Sequence, residues 1–280
     1  MNPLLAPPPS PASRSRATAR SASWIVTAVW PPIVFGIAIV VIWELAIKAF
    51  DWKPYFLPSP TAVWSAFVDN FALIRSATAV SGRNAFAGLL CGTVLGVAMS
   101  FLLMRFRLLN DLVSPLAVAL NAVPIFVLVS VFNNQFASTS EVPRRLMVTL
   151  IVYFVVLVNV AKGLRQVQPT HLELLRSYAA SPLAILVKAR IPNAISYLFT
   201  ALKIAAPGAV ITAFVAEYFG GSQNGLGARI TSNLSSSKNA VAWAYVLAAV
   251  LLGLAFYLIS IALESLTSPH RGASPGREHS

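Results

Sequence analysis

The chain has 280 residues, 57% of them hydrophobic and only 11% charged, and a mean hydropathy of +0.72. A soluble domain carries about a quarter charged residues, so this composition argues against a water-soluble globule and for a membrane-embedded chain. The net charge of +12 is divided among loops and forms no single patch, which argues against nucleic-acid binding.

Residues 1–23 are rich in Pro, Ser, Ala and Arg and hold no acid, so a disordered cytoplasmic tail is expected. An organellar transit peptide shares the Arg/Ser bias, but the prolines spoil an amphipathic helix, and no small-residue cleavage site marks a secretory signal. Six apolar segments then follow, near 31–50, 85–104, 113–132, 146–163, 197–219 and 241–263. Each approaches the roughly twenty residues that a bilayer requires. The expected architecture is an all-α polytopic membrane domain over 24–266, with a polar tail at 267–280.

Glu44 in the first span has Lys48 four residues later on the same face, a ready ion pair. Residues 51–80 form a connection. Leu57-Pro58-Ser59-Pro60 is stiff and extended, because a residue before proline is pushed out of the helical region. From Thr61 to about Phe71, Val63, Trp64, Phe67 and Phe71 fall on one helical stripe. That helix either lies in the membrane interface or packs on the bundle. In the second span Gly88, Gly92 and Gly96 recur every fourth residue, a spacing that lets two helix backbones approach closely. Cys91, the single cysteine, reads as a small packing residue and excludes an intrachain disulfide or a Cys-based metal site. The third span is interrupted by Pro124.

Between the fourth and fifth spans lies a polar stretch, Lys162 to Pro192, that reads as two short helices and a turn. Thr170 can cap the first helix, with Glu173 three residues on completing a capping box. Ser181 caps the second, and Pro182 at its first position gives up only an N–H that would be orphaned there. A membrane chain has little reason to fold such a hairpin unless something docks on it.

The fifth span is interrupted by Pro207-Gly208 and carries Lys203 and, near its end, Glu217. A carboxylate at that depth is costly unless paired, so Glu217 belongs to a structural ion pair or stands beside a substrate path. Asn121, Tyr153 and Asn159 are the other polar groups deep in the spans. They read first as hydrogen bonds between helices and second as substrate contacts.

With the N-terminus inside, twelve Lys and Arg residues fall on the cytoplasmic side and eight outside. The 162–192 loop alone holds five of them against one acid, Glu173. That bias is the positive-inside sign, and it places both termini and this loop in the cytoplasm. No phosphate-binding G-x-x-x-x-G-K-[ST] loop occurs, so no ATP site is expected in this chain. The three histidines lie outside the spans, so a membrane hydrolase lacks its base and no enzyme activity or metal site is expected. A stand-alone secondary transporter or channel is the alternative class, and the scarcity of intramembrane acids argues against it.

The order Glu173, Ala179 six residues on, then Ile191-Pro192 resembles the EAA loop of ABC importer permeases. Leu174 and Leu175 replace that motif's two alanines, and Ala179 replaces its glycine. Ala179 either keeps the left-handed turn of that glycine, at roughly 1 kcal/mol, or is helical with the turn moved to Ala180-Ser181. Leu57-Pro58-Ser59-Pro60, and Ala216-Glu217 followed by Gly225-Leu226-Gly227, are similar to the permeases serving nitrate, sulfonate, taurine, bicarbonate and pyrimidine-type solutes. The resemblance implies a six-span, type I importer (MetI-like) permease subunit in the bacterial inner membrane. Its implied partners are ABC ATPase subunits that bind ATP and Mg, a second permease copy or a paralogue, and an extracytoplasmic solute-binding protein. It further implies that the loop couples to the ATPase through apolar contacts at Leu183, Leu186 and Val187 and charges at Lys188 and Arg190.

Overall fold

The computed structural model describes residues 11–106, 125–136, 140–220 and 224–267. Among these residues all regular structure is helical. The chain divides into two compact units, Met1–Trp64 and Ser65–Ser280.

The first unit holds α1, Pro11–Phe50. The helix begins well inside the stretch expected to be unstructured, because the Ala- and Arg-containing run after Pro11 has good helix formers and proline is tolerated in a first turn. The expected Glu44–Lys48 pair forms at 3.1 Å. The Thr61 backbone N–H and hydroxyl also donate to the Glu44 carboxylate, each at 3.4 Å. Helix α2, Pro60–Asp69, starts as the polar hairpin was expected to start. Ser59 Oγ accepts from the Ala62 N–H at 3.2 Å, and Pro60 occupies the first helical position.

The second unit is a bundle. Helix α3, Phe71–Arg105, begins fourteen residues before the span expected at 85–104. Its extension is Ala/Ser/Thr-rich and carries Arg75 and Arg83. The third span lies mostly outside the described residues, Pro124 among them. Its last part is α4, Ile125–Gln135. Then come α5, Val142–Arg165, α6, Pro169–Ser177, and α7, Pro182–Ile185. The chain continues through α8, Ile191–Tyr218, α9, Leu226–Ser235, and α10, Asn239–Thr267. Five helical stretches, 33–50, 71–105, 142–165, 182–218 and 239–266, are long and apolar enough to cross a membrane.

The core is made of small and β-branched side chains, which suits helices that touch at the backbone. Val148, Val152, Val156 and Val160 of α5 share one buried cluster with Ala201, Ala205, Ala209 and Ala213 of α8. Gly88, Gly92 and Gly96 are where α3 meets α5. A Cβ on Gly92 would stand 2.7 Å from both the Thr149 carbonyl and Val152 Cβ, and one on Gly96 would stand 2.9 Å from the Tyr153 carbonyl. Each glycine faces a valine one turn further along α5 (Val148, Val152, Val156), so the two helices run parallel in register. Cys91 is exposed, contrary to the packing role expected of it.

Pro207 does not end α8. It removes only its own bond to the carbonyl one turn back, and the helix is held on both sides by α5 and α10. Lys203 Nζ forms an ion pair with Glu264 Oε2 at 2.7 Å, joining α8 to α10.

Candidate functional site

The loop at 162–192 is ordered at both ends by backbone chemistry. Helix α6 begins one residue before the expected cap. Pro169 fixes the first helical φ, so Gln168, with ψ 130°, is the cap residue and contributes no side-chain bond. Thr170 is therefore inside the first turn, and the Thr170–Glu173 capping box does not form. Glu173 is exposed and has no hydrogen bond or ion pair among the described residues.

At the other end of α6, Ala179 has φ +53°. The Ala179 N–H donates to the Arg176 carbonyl at 2.9 Å and the Ala180 N–H to the Leu175 carbonyl at 3.0 Å. This is the paired closure of a Schellman motif, built on an alanine where glycine is usual. The left-handed turn stays at Ala179 and does not move to Ala180-Ser181. Ser181 then caps α7: with ψ 156°, its side chain accepts from the Ala184 N–H at 3.2 Å, and Pro182 stands next.

The second arm is not a separate short helix. Helix α7 continues through a π-helical turn, Leu186–Arg190, directly into α8. Pro192 explains the wide turn. It has no N–H, and its ring would press on the carbonyl four residues back, so the Ile191 N–H reaches instead to the Leu186 carbonyl. Residues 182–218 therefore form one continuous apolar rod.

The loop presents apolar side chains outward. Leu174, Tyr178, Leu183 and Val187 are 55%, 77%, 69% and 53% exposed. Lys188 is exposed beside them, while Leu186, Arg190 and Ile191 are half-buried. Between the arms lies a cleft of about 530 Å³ lined by His171, Leu175, Lys188 and Pro192. Asn193 fastens the base: its Nδ2 donates to the Gly163 carbonyl at 2.7 Å and the Gln166 carbonyl at 3.1 Å. It thereby satisfies carbonyls left open at the end of α5. Gly163 lets α8 approach there, since a Cβ on it would stand 2.9 Å from the Ala194 Cα. Sequence reasoning missed Asn193 because its partners lie thirty residues away.

The opposite end of the bundle buries a polar cluster. Glu217 is 2% exposed and Arg144 1%. Ser81 Oγ donates to Glu217 Oε2 at 2.6 Å, and the Gly227 N–H donates to the same oxygen at 3.2 Å. The Leu226 N–H donates to Ser81 Oγ at 2.9 Å. Gly225 occupies the cap position of α9 but has no side chain to cap with. Ser81 and Glu217 supply that cap from two other helices, placing a carboxylate at a helix N-terminus where the dipole favours it. A Cβ on Gly225 would collide with the Glu217 carboxylate, which accounts for the glycine. Arg144 pairs with Glu141 at 2.7 Å, Asn84 Nδ2 donates to Glu141 Oε2 at 2.6 Å, and Arg145 Nε donates to Asn84 Oδ1 at 3.1 Å. Arg144, counted from the sequence as a loop charge, is thus a core residue.

Among the described residues, Tyr153 and Asn159 are not brought to Glu217. Asn121 lies outside the described residues. Asn159 donates to the Val155 carbonyl of its own helix at 2.8 Å and has no bond to another helix among the described residues. Tyr153 is half-buried, edge-on to Phe154 with centroids 4.9 Å apart, in an apolar groove. Its backbone lies beside Gly96, fifteen residues along α3 from the Ser81 that holds Glu217, or about 22 Å. Among the described residues no three His, Cys, Asp or Glu side chains group to hold a metal.

Residues 89–271 match the model of the family described as binding-protein-dependent transport system inner membrane component. The probable ABC transporter permease protein of Haemophilus influenzae is 31% identical over 201 residues, 70% of this chain and 79% of its own length. The formylaminopyrimidine transport permease protein ThiX of Halalkalibacterium halodurans is 27% identical over 242 residues, 86% of this chain and 95% of its own. Its parallel membrane helices, its polar loop and these matches agree: the chain belongs to the binding-protein-dependent ABC transporter permease family.

Proposed function

We propose that this chain is a conduit subunit of an importer, driven by a separate ATPase that docks on the cytoplasmic 162–192 loop. The carrying observation is the continuity of that loop with a membrane helix. Leu183 and Val187 stand exposed on the same rod that forms α8, so a push on them moves a spanning element without an intervening hinge. Exposed apolar groups on an otherwise basic loop favour a protein partner over water. Schellman closure, the Ser181 cap and the Asn193 tether stiffen the loop, which lets it transmit force.

The ATPase subunits bind ATP and Mg. A second permease, either another copy or a paralogue, completes the path, and an extracytoplasmic binding protein delivers the solute. The likeness to ThiX along nearly its whole length supports a pyrimidine-type solute. In this reading Glu217 belongs to the scaffold of the outer end rather than to the path, because its carboxylate is committed to capping α9.

The test is Glu173→Lys in the assembled transporter. Glu173 is exposed and has no partner among the described residues, so the substitution leaves the fold intact and changes what a docked protein meets. Uptake should fall at least tenfold while ATP hydrolysis persists without solute. Normal uptake with a normally assembled ATPase would contradict the proposal.

A further inference from the structure

Helices α3 and α10 leave a groove of about 780 Å³ between them. Its floor and walls are apolar, with Phe86 on α3 and Leu251, Leu252 and Phe256 on α10. Two arginines of α3, Arg75 and Arg83, border it, and no acid does. Both are exposed, and neither has a carboxylate partner among the described residues. Arg83 Nε donates only to the Ala79 carbonyl of its own helix, at 3.2 Å. That bond folds the side chain back along α3, away from the long apolar half of the helix.

The depth of Arg83 makes its missing counter-charge notable. From Asn84 to Met104, α3 carries no charged residue. Those twenty-one residues span about 31 Å, close to the full thickness of a hydrocarbon core. Arg83 therefore stands at the rim of the hydrocarbon, and Arg75 about 12 Å further out. An unpaired guanidinium at that rim is costly, and side chains there turn toward the headgroups for anionic partners.

We propose that this groove holds an anionic phospholipid. Its phosphate sits on the Arg83 guanidinium with Arg75 above it, and an acyl chain leaves the inner end of the groove past Phe86 and Phe256 and follows the uncharged length of α3. Both halves of the site argue for a lipid. The guanidiniums want a phosphate, which they can bind in a fork. The apolar length below them wants a hydrocarbon tail, which a free phosphate does not have. The lipid belongs to the leaflet on the side away from the 162–192 loop, and it lies between α10 and α3.

The experiment measures lipid retained by the full-length chain during graded delipidation, read by native mass spectrometry. Phosphatidylglycerol and phosphatidylcholine with identical acyl chains are compared. Wild-type protein should keep one phosphatidylglycerol at least tenfold more tightly than phosphatidylcholine and should melt at a higher temperature with it. Arg83→Gln should abolish that preference, Arg75→Gln should weaken it, and Arg83→Lys should restore part of it. Arg176→Gln, on α6 at the other end of the bundle, should change nothing. Equal retention of the two lipids, or an unchanged preference in Arg83→Gln, would overturn the proposal. So would a photo-crosslinker at Leu251 that captured protein instead of lipid.

Discussion

Ala179 holds a left-handed turn that costs an alanine roughly 1 kcal/mol and a glycine almost nothing. Ala179→Gly should therefore stabilise the loop by up to about that amount, seen as slower amide exchange at Ala179 and Ala180, whose N–H groups close the turn. Faster exchange there would mean that the turn is not what closes α6. Glu217 poses the opposite case. Replacing it with Ala strips a buried carboxylate from Ser81 and the Gly227 N–H, and should cost about 1–3 kcal/mol. Exchange at Leu226 and Gly227 should accelerate before the rest of the bundle responds. Single residues were legible from sequence where the chemistry is local. Ser181-Pro182 announces its own cap, and so does Ser59-Pro60 once that pattern is sought. Thr170 misled because Pro169 starts the helix one position earlier. Glu217 stayed open between two roles because its partners, Ser81 and Gly227, come from other helices.

Among the elements, α3 and α5 are joined by a surface with no room for side chains. Gly92→Val puts a Cβ against the Thr149 carbonyl and Val152, and overpacking of this kind costs about 1–3 kcal/mol. The melting temperature in detergent should fall, whereas Cys91→Val beside it should leave it unchanged, because Cys91 is exposed. Equal effects of the two would place the helix contact elsewhere. The glycine period pointed to this contact without naming the partner helix, since spacing describes one face of one helix only. Helix continuity was the harder reading. Ile191-Pro192 looks like a stop in sequence, yet the π-helical turn absorbs the proline and α7 flows into α8. Helices α3 and α8 start before the spans expected near 85 and 197, because their first turns are less apolar than the hydrocarbon-length windows that reveal a span.

At the scale of the molecule, membrane class was legible because composition and six apolar runs constrain a chain this hydrophobic to few architectures, and the family through the resemblance carried by Glu173, Ala179 and Ile191-Pro192. The buried ends were not legible. The Lys203–Glu264 and Arg144–Glu141 pairs, and the Ser81–Glu217 cap, each answer a charge or donor with a partner that only packing brings near. Such pairs distribute as a frame: one cluster at the end away from the loop, one tie between α8 and α10, and one tether at Asn193. The loop, beyond that frame, carries Leu174, Tyr178, Leu183 and Val187 exposed. On the proposed mechanism, weakening its base should weaken coupling without touching docking. Asn193→Ala removes both bonds to the end of α5. It should lower uptake several-fold while the purified complex still contains its ATPase; loss of the ATPase itself would show that the tether shapes the docking surface.

The most direct test is a site-specific crosslink. In a Cys91→Ala background, Leu183→Cys should be labelled by a membrane-impermeant thiol reagent only from the cytoplasmic side, and in the intact transporter it should crosslink to the ATPase subunit. Labelling from outside the cell, or a purified transporter in which Leu183 crosslinks to no other protein, would contradict the account.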